Sequence, residues 1–132
     1  MDRDALSRWA GAYERAWRAP GVRALDGLFT EEATYRTSPF ERPFRGITAI
    51  REMWEAGRSP AEAFTMTSEV VAVEGDVGVL RVGVRYERPR SQAYLDIWIV
   101  RLAPDGRCAS FEEWPFWPPG SGGGYDPGPP AS

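Results

Sequence analysis

The chain has 132 residues, with 16 Arg, 19 Asp plus Glu, no Lys, no His, no Asn, a single Cys and a net charge of −3. That composition excludes Ser-His-Asp and Cys-His nucleophile systems, His-ligated metals, Schiff-base lysines and a P-loop lysine, so acid–base work falls to Asp, Glu, Tyr, Arg or Cys108. The acidic balance argues against a nucleic-acid partner, the lone cysteine against an internal disulfide, and the charged opening Met1-Asp2-Arg3-Asp4 against a signal segment. With no run of membrane-spanning length, the expectation is a soluble cytoplasmic protein with no membrane partner and no metal or other cofactor.

The length suits one domain with a proper core. From Asp4 to Ala19, Leu6, Trp9, Ala10, Tyr13, Ala16 and Trp17 recur at helical spacing, and Pro20-Gly21 ends the helix. A short second helix is expected next, with Val22, Leu25, Leu28 and Phe29 inward. Ala33 to Thr37 reads as a short strand, and Ser38-Pro39 with Arg42-Pro43 punctuates the loop after it. A third helix from about Thr48 to Ala56 buries Ile47, Ile50, Met53 and Trp54 and stops at Gly57.

Three longer strands follow, about Phe64–Val73, Val77–Glu87 and Ala93–Leu102, with a fourth at Cys108–Trp114. Glu74-Gly75-Asp76 and Ala103-Pro104-Asp105-Gly106 are the tight turns, and Glu87 to Gln92 is a wider connection containing Pro89. Helices first and an antiparallel meander afterwards predict an α+β domain over residues 1–118. Residues 119–132, mostly Gly, Pro and Ser, read as a disordered tail.

Alternation along the third long strand puts Tyr94, Asp96 and Trp98 on one face and Leu95, Ile97 and Ile99 on the other. Periodicity alone would bury the second set. A carboxylate held between two aromatics points instead to a polar group inside an aromatic pocket, because a desolvated charge without a partner is costly. Both faces can be buried if a second subunit covers the outer one, which predicts a homodimer. The pairing expected for the last hairpin sets Asp96 directly opposite Glu113. Two carboxylates so placed repel, raising one pKa and providing an acid and a base. Glu112 and Glu113 cannot share a face, and Glu112 is assigned to solvent.

The landmarks Leu28-Phe29, Ala33-Thr34-Tyr35, Pro39, Gly46 and Ala49-Ile50-Arg51-Glu52, followed by Asp105-Gly106-Arg107 and Phe111 to Phe116, resemble the NTF2-like superfamily over about residues 5 to 117. That group includes ketosteroid isomerases, limonene-epoxide hydrolases and SnoaL-like polyketide cyclases. The resemblance implies a cone-shaped NTF2-like fold, with three N-terminal helices packed on a curved, mainly antiparallel sheet around an apolar pocket. Members range from enzymes to non-catalytic adaptors, so fold alone does not settle function. Against the ketosteroid isomerases, Tyr13 matches the oxyanion-hole tyrosine, but their base falls at Thr37 and their second hole residue at Trp98. The cyclases' acid–base Asp also falls at Trp98. Against the epoxide hydrolases, Tyr35, Thr37 and Glu113 match the water-orienting residues, while Gly83 and Arg85 fall where an Arg–Asp pair would polarise the epoxide.

Three readings stand side by side. The first is a domain binding a small, largely apolar molecule, lined by Tyr13, Trp17, Thr37, Trp54, Arg85, Trp98 and Phe111. The second is an enzyme using Tyr35, Asp96 and Glu113 on an epoxide or polyketide-like substrate by hydrolysis, isomerisation or cyclisation. The third is a non-catalytic dimeric scaffold whose interior is plugged by Trp54, Trp98 and Phe111. Asp96 and Glu113 are poised as acid and base in the second reading. In a structural reading they are struts paired with Arg81 or Arg85. Cys108, with no base nearby, reads as a small buried residue.

Overall fold

A computed structural model describes residues 1–57, 63–88 and 92–119. Helix α1, Arg3–Arg18, starts where the Asp2 carboxylate accepts the Ala5 N–H at 2.8 Å, satisfying one of the orphan donors of the first turn. Its apolar stripe buries Leu6, Trp9, Ala10, Tyr13 and Ala16. Helix α2 is a single turn, Leu25–Leu28, tied to α1 by the Trp9 indole N–H donating to the Leu28 carbonyl at 3.0 Å.

Phe29, expected at the end of that helix, instead opens strand β1, Phe29–Arg36, which is longer than anticipated and stops one residue short of Thr37. Parallel pairing with the last strand, Phe29 opposite Cys108, holds this stretch extended. Strand β2, Phe44–Arg45, was not expected, since two residues carry no periodicity; it pairs with Thr34 and Tyr35. Gly46, at φ +87°, then turns the chain into helix α3, Ile47–Gly57, which buries Ile50 and Trp54.

The long strands are β3 (Ala63–Glu74), β4 (Val77–Arg88), β5 (Gln92–Leu102) and β6 (Cys108–Phe116). The wide connection expected around Pro89 and the expected tail beyond Pro119 lie outside the described residues. The six strands form one curved, unclosed sheet in the order β2-β1-β6-β5-β4-β3, antiparallel throughout except for β1 beside β6. The helices close its inner face, which makes the domain the expected three-helix α+β cone.

The two faces of β5 resolve in favour of Tyr94, Asp96 and Trp98 facing inward. Asp96 and Trp98 are each 2% exposed, whereas Leu95 is 58% exposed on the outer face. The register of the last hairpin differs from expectation. Ala103 N–H bonds the Arg107 carbonyl across the turn, and an irregularity between Arg101 and Leu102 leaves Ser110 opposite Arg101. Glu113 therefore pairs with Trp98, and Asp96 with Pro115. Because the shift is even, Glu113 keeps the inner face, and the two carboxyls are diagonal neighbours.

Gly78 on β4 lies directly beneath α1, where an added Cβ would sit 2.3 Å from Leu6 Cδ2. Leu6 is fully buried and has no room to yield. Gly78→Ala is expected to destabilise the fold by about 1–3 kcal/mol through overpacking. Gly27→Ala, whose Cβ meets nothing within 4 Å, serves as the control in the same thermal melts.

Candidate functional site

The inner face of the sheet and the underside of α1 and α3 enclose a cavity of about 240 Å3. Tyr13 and Trp17 descend from α1, Met53 from α3, Phe64 and Met66 from β3, Tyr86 from β4, and Tyr94, Asp96 and Trp98 from β5. Tyr35, Thr37 and Glu113 complete the wall. A second chamber of about 210 Å3 adjoins it, lined by Ser38, Glu41, Pro115 and Trp117, and shares Thr37, Tyr94 and Glu113 with the first. Glu113 is thus on the partition between the two.

The hydroxyls of the wall form a relay. Tyr13 Oη and Tyr35 Oη are 2.7 Å apart, and Tyr35 donates to Glu113 Oε2 at 3.3 Å. With the Tyr35 proton committed to Glu113, the Tyr13 hydroxyl donates to Tyr35. Separately, the Trp98 indole N–H donates to Asp96 Oδ2 at 3.0 Å, while Asp96 Oδ1 is buried with no hydrogen-bond partner. An orphaned buried carboxyl oxygen is costly unless it is protonated or meets a ligand.

Burial sets the electrostatics. Desolvation pushes the Asp96 carboxyl up to about 7, against the opposing hydrogen bonds from the Trp98 indole and the Trp114 backbone. Glu113 is raised well above the usual carboxylate range by desolvation and by the neighbouring Asp96 charge, with the Tyr35 hydroxyl acting in the other direction. Burial likewise keeps Tyr13, Tyr35 and Tyr94 protonated. Both carboxyls are therefore held toward the protonated form near neutral pH, and the ionisation of one makes that of the other harder.

Several expectations need correction. Arg85 does not reach the cavity: it is exposed on the outer face of β4, beside Arg81, which is bound to Glu69 at 2.8 Å. No arginine among the described residues braces Asp96 or Glu113, so the salt-bridged strut is replaced by an uncompensated pair. Trp54 and Phe111, expected on the wall, are core residues behind it. Phe111 stacks on Tyr13 at 5.5 Å, and Trp54 meets Tyr13 at 5.1 Å and Trp17 at 4.8 Å. Trp98 is a wall and not a plug, since the cavity persists beside it. The Cys108 thiol is buried, pushed up to about 12, and bonded to the Ser110 carbonyl, which leaves it inert.

Glu112 does face outward, toward Arg36 and the Trp114 indole. The arginine in turn binds the Pro39 and Glu41 carbonyls, holding the loop that carries Thr37, Ser38 and Glu41. The sequence reading missed the second chamber altogether and missed Tyr86 as a lining residue, while Tyr94, set on the inner face, was left out of the ligand wall. Both tyrosines were legible from strand alternation, falling in step with Val84 and Asp96. No group of three His, Cys, Asp or Glu side chains among the described residues is placed to hold a metal ion.

Comparison with known proteins places this geometry in a family. Among solved structures, a candidate SnoaL-like polyketide cyclase from Jannaschia sp. CCS1 superposes with a TM-score of 0.67 at 14% identity, covering 83% of this chain and 85% of that one. TsrD from Streptomyces laurentii gives 0.64 at 24% identity over 87% and 90% of the two chains. An epoxide hydrolase of M. tuberculosis resembling the limonene-epoxide enzymes gives 0.65 at 12%, over 88% and 86%. At these identities the likeness is one of fold. Curated proteins yield no significant match. The model of the SnoaL-like domain matches residues 10–111, nearly the whole of the cone, and the chain belongs to that family within the NTF2-like superfamily.

Proposed function

We propose that the chain binds a small, largely apolar molecule in the cone and moves a proton on it, with Asp96 and Glu113 as the acid–base pair. The observation that carries this reading is the Asp96 carboxyl, 2% exposed, with one oxygen unpaired in the cavity wall and no arginine among the described residues to neutralise it. A merely structural carboxylate would be paired; this one is held at a pKa near the operating pH of a general acid. Tyr35 and Tyr13 orient Glu113 through their relay. The aromatic lining keeps bulk water from the transfer. Isomerisation, cyclisation and addition of water all use this equipment, and the placing of Tyr35, Thr37 and Glu113 on one wall favours the form in which a water is the nucleophile.

The sign of the linkage gives a direct test. A carboxyl whose folded pKa is raised favours the folded state while protonated, so stability is greatest below the unfolded value near 4 and falls as pH rises toward about 7. Asp96→Asn removes that burial cost. It is expected to raise the melting temperature at pH 8, to change it little at pH 4, and to flatten the pH dependence, while abolishing turnover of any substrate found. Carboxyl titration by NMR checks the same point in the native chain. If both Asp96 and Glu113 titrate at ordinary carboxylate values, the proton-transfer reading is withdrawn.

The outer face of the sheet supports a homodimer. Leu95 sits opposite Phe116, and Ile97 opposite Trp114, so β5 and β6 present an apolar patch in which Leu95 is 58% and Phe116 57% exposed. A second copy would cover it. Light scattering is expected to return about twice the 14.7 kDa chain mass. Leu95→Arg with Phe116→Arg should shift it to the monomer without unfolding the domain, and a monomeric wild-type chain would refute the assignment.

A further inference from the structure

Among the described residues, the charge-bearing groups that line the cavity are of one sign, the carboxyls of Asp96 and Glu113. The Tyr35 proton goes to Glu113, the Tyr13 proton goes to Tyr35, and the Trp98 N–H goes to Asp96. Each of these donors is turned into the wall. Asp96 and Glu113 remain as the acidic members of the wall, beside the hydroxyls of Thr37, Tyr86 and Tyr94. None of the described lining residues is basic, although the chain carries 16 arginines. Those nearby are engaged elsewhere: Arg18 lies over the Phe64 ring at 4.1 Å and is paired with Glu14, and Arg36 with Glu112. The rest of the wall consists largely of aromatic rings, among them Trp17, Tyr86, Tyr94 and Trp98.

We propose that the pocket selects molecules carrying a protonated amine or quaternary ammonium group on an apolar body. This names the ligand class for the acid–base site described above and rests on that reading. An ammonium supplies the positive charge that the carboxyl pair lacks, and an amine also supplies hydrogens that a carboxylate can accept. The aromatic faces add cation–π attraction in a site with little water. A pair that has lost one of its two protons carries one negative charge, so one ammonium makes the loaded pocket neutral and leaves the other proton in place for chemistry. An anionic ligand meets a carboxylate and no counter-charge. A hydrocarbon leaves the charge of an ionised carboxyl without a partner in a desolvated site. The titratable groups facing the pair are the phenols Tyr13 of α1, Tyr35 of β1, Tyr86 of β4 and Tyr94 of β5, of which burial keeps Tyr13, Tyr35 and Tyr94 neutral, and the Glu41 carboxyl across the second chamber from Glu113; none of them supplies a positive charge.

Choline and 3,3-dimethylbutan-1-ol have the same shape and differ by the charge on one atom, which makes them the probes. Binding of each to the full chain is followed by NMR shifts of pocket residues at pH 8 and at pH 4, with 3,3-dimethylbutanoate as the anionic member of the set. Choline is expected to bind at least about tenfold tighter than the alcohol at pH 8. That advantage should shrink at pH 4, where both carboxyls are protonated, and the carboxylate should bind weakest. Glu113→Gln, which keeps the side-chain shape, should remove most of the choline advantage over the alcohol, with a native amide spectrum confirming that the variant is folded; a full choline advantage in the folded variant also overturns the proposal. Equal affinity for the two isosteres, tighter binding of the alcohol or carboxylate, or no choline binding at all overturns the proposal. The carboxyl titration of the unliganded chain judges proton transfer independently, so raised pKa values with no preference for choline would remove the amine and leave the acid–base pair.

Discussion

The pairing of β5 with β6 governs everything inside the cone. Opposed residues share a face, so the pairs Trp98–Glu113 and Val100–Phe111 decide which side chains meet α1 and which meet solvent. A slip of one residue would turn Glu113 outward, away from Tyr35, and expose Phe111 in place of burying it. The turn at Ala103 to Arg107 and the irregularity just inside it set that register. Burial of Trp98 and Phe111 against Tyr13, at ring distances of 4.4 and 5.5 Å, makes the alternative registers expensive. The aromatic core thus holds the carboxyls where they are.

Holding them there opposes stability. Two carboxyls in an aromatic cavity with no basic neighbour among the described lining residues are each driven toward the protonated form, and each makes the other harder to ionise. The fold tolerates this because the Trp98 indole and the Tyr35 hydroxyl satisfy one oxygen of each, and because surrounding hydrophobic burial is extensive. A domain selected for stability alone would be better served by an apolar pair at these positions, or by an arginine between them. Retaining the unpaired oxygen is the kind of local cost that binding sites carry and scaffolds do not.

The two faces of the sheet divide the chemistry cleanly. Ionic pairs such as Arg81–Glu69 and Arg36–Glu112 lie outside, where solvent screens them and each contributes little. Inside there are neutral donors, rings and the carboxyl pair. The arginine-rich composition therefore says nothing about the pocket, whose character is the opposite of the surface. Arg36 has a further part: by binding the Pro39 and Glu41 carbonyls it fixes the loop that forms the wall of the second chamber.

The sequence alone was sufficient for the class of fold, the three helices and the four long strands, because hydrophobic period and turn chemistry are local signals, whereas the inward turn of Asp96 ran against that period. Pro20-Gly21 as a helix stop, Gly75 and Gly106 in the turns, and the stripe from Leu6 to Trp17 all act within a few residues of themselves. It was also sufficient for the loss of His and Lys chemistry, which needs no coordinates. Strand β2, the extension of β1 back to Phe29, and the two-residue difference in the β5–β6 register were decided by pairing between distant segments, which local pattern does not encode. The same holds for Arg85, Trp54 and Phe111, assigned to the pocket by analogy of position and placed elsewhere by strand parity and by helix packing. Whether the cone was hollow or filled depended on how four aromatic rings from four elements, Trp9, Trp54, Trp98 and Phe111, packed around Tyr13, and only their assembled geometry settled that the space beside Trp98 stays open.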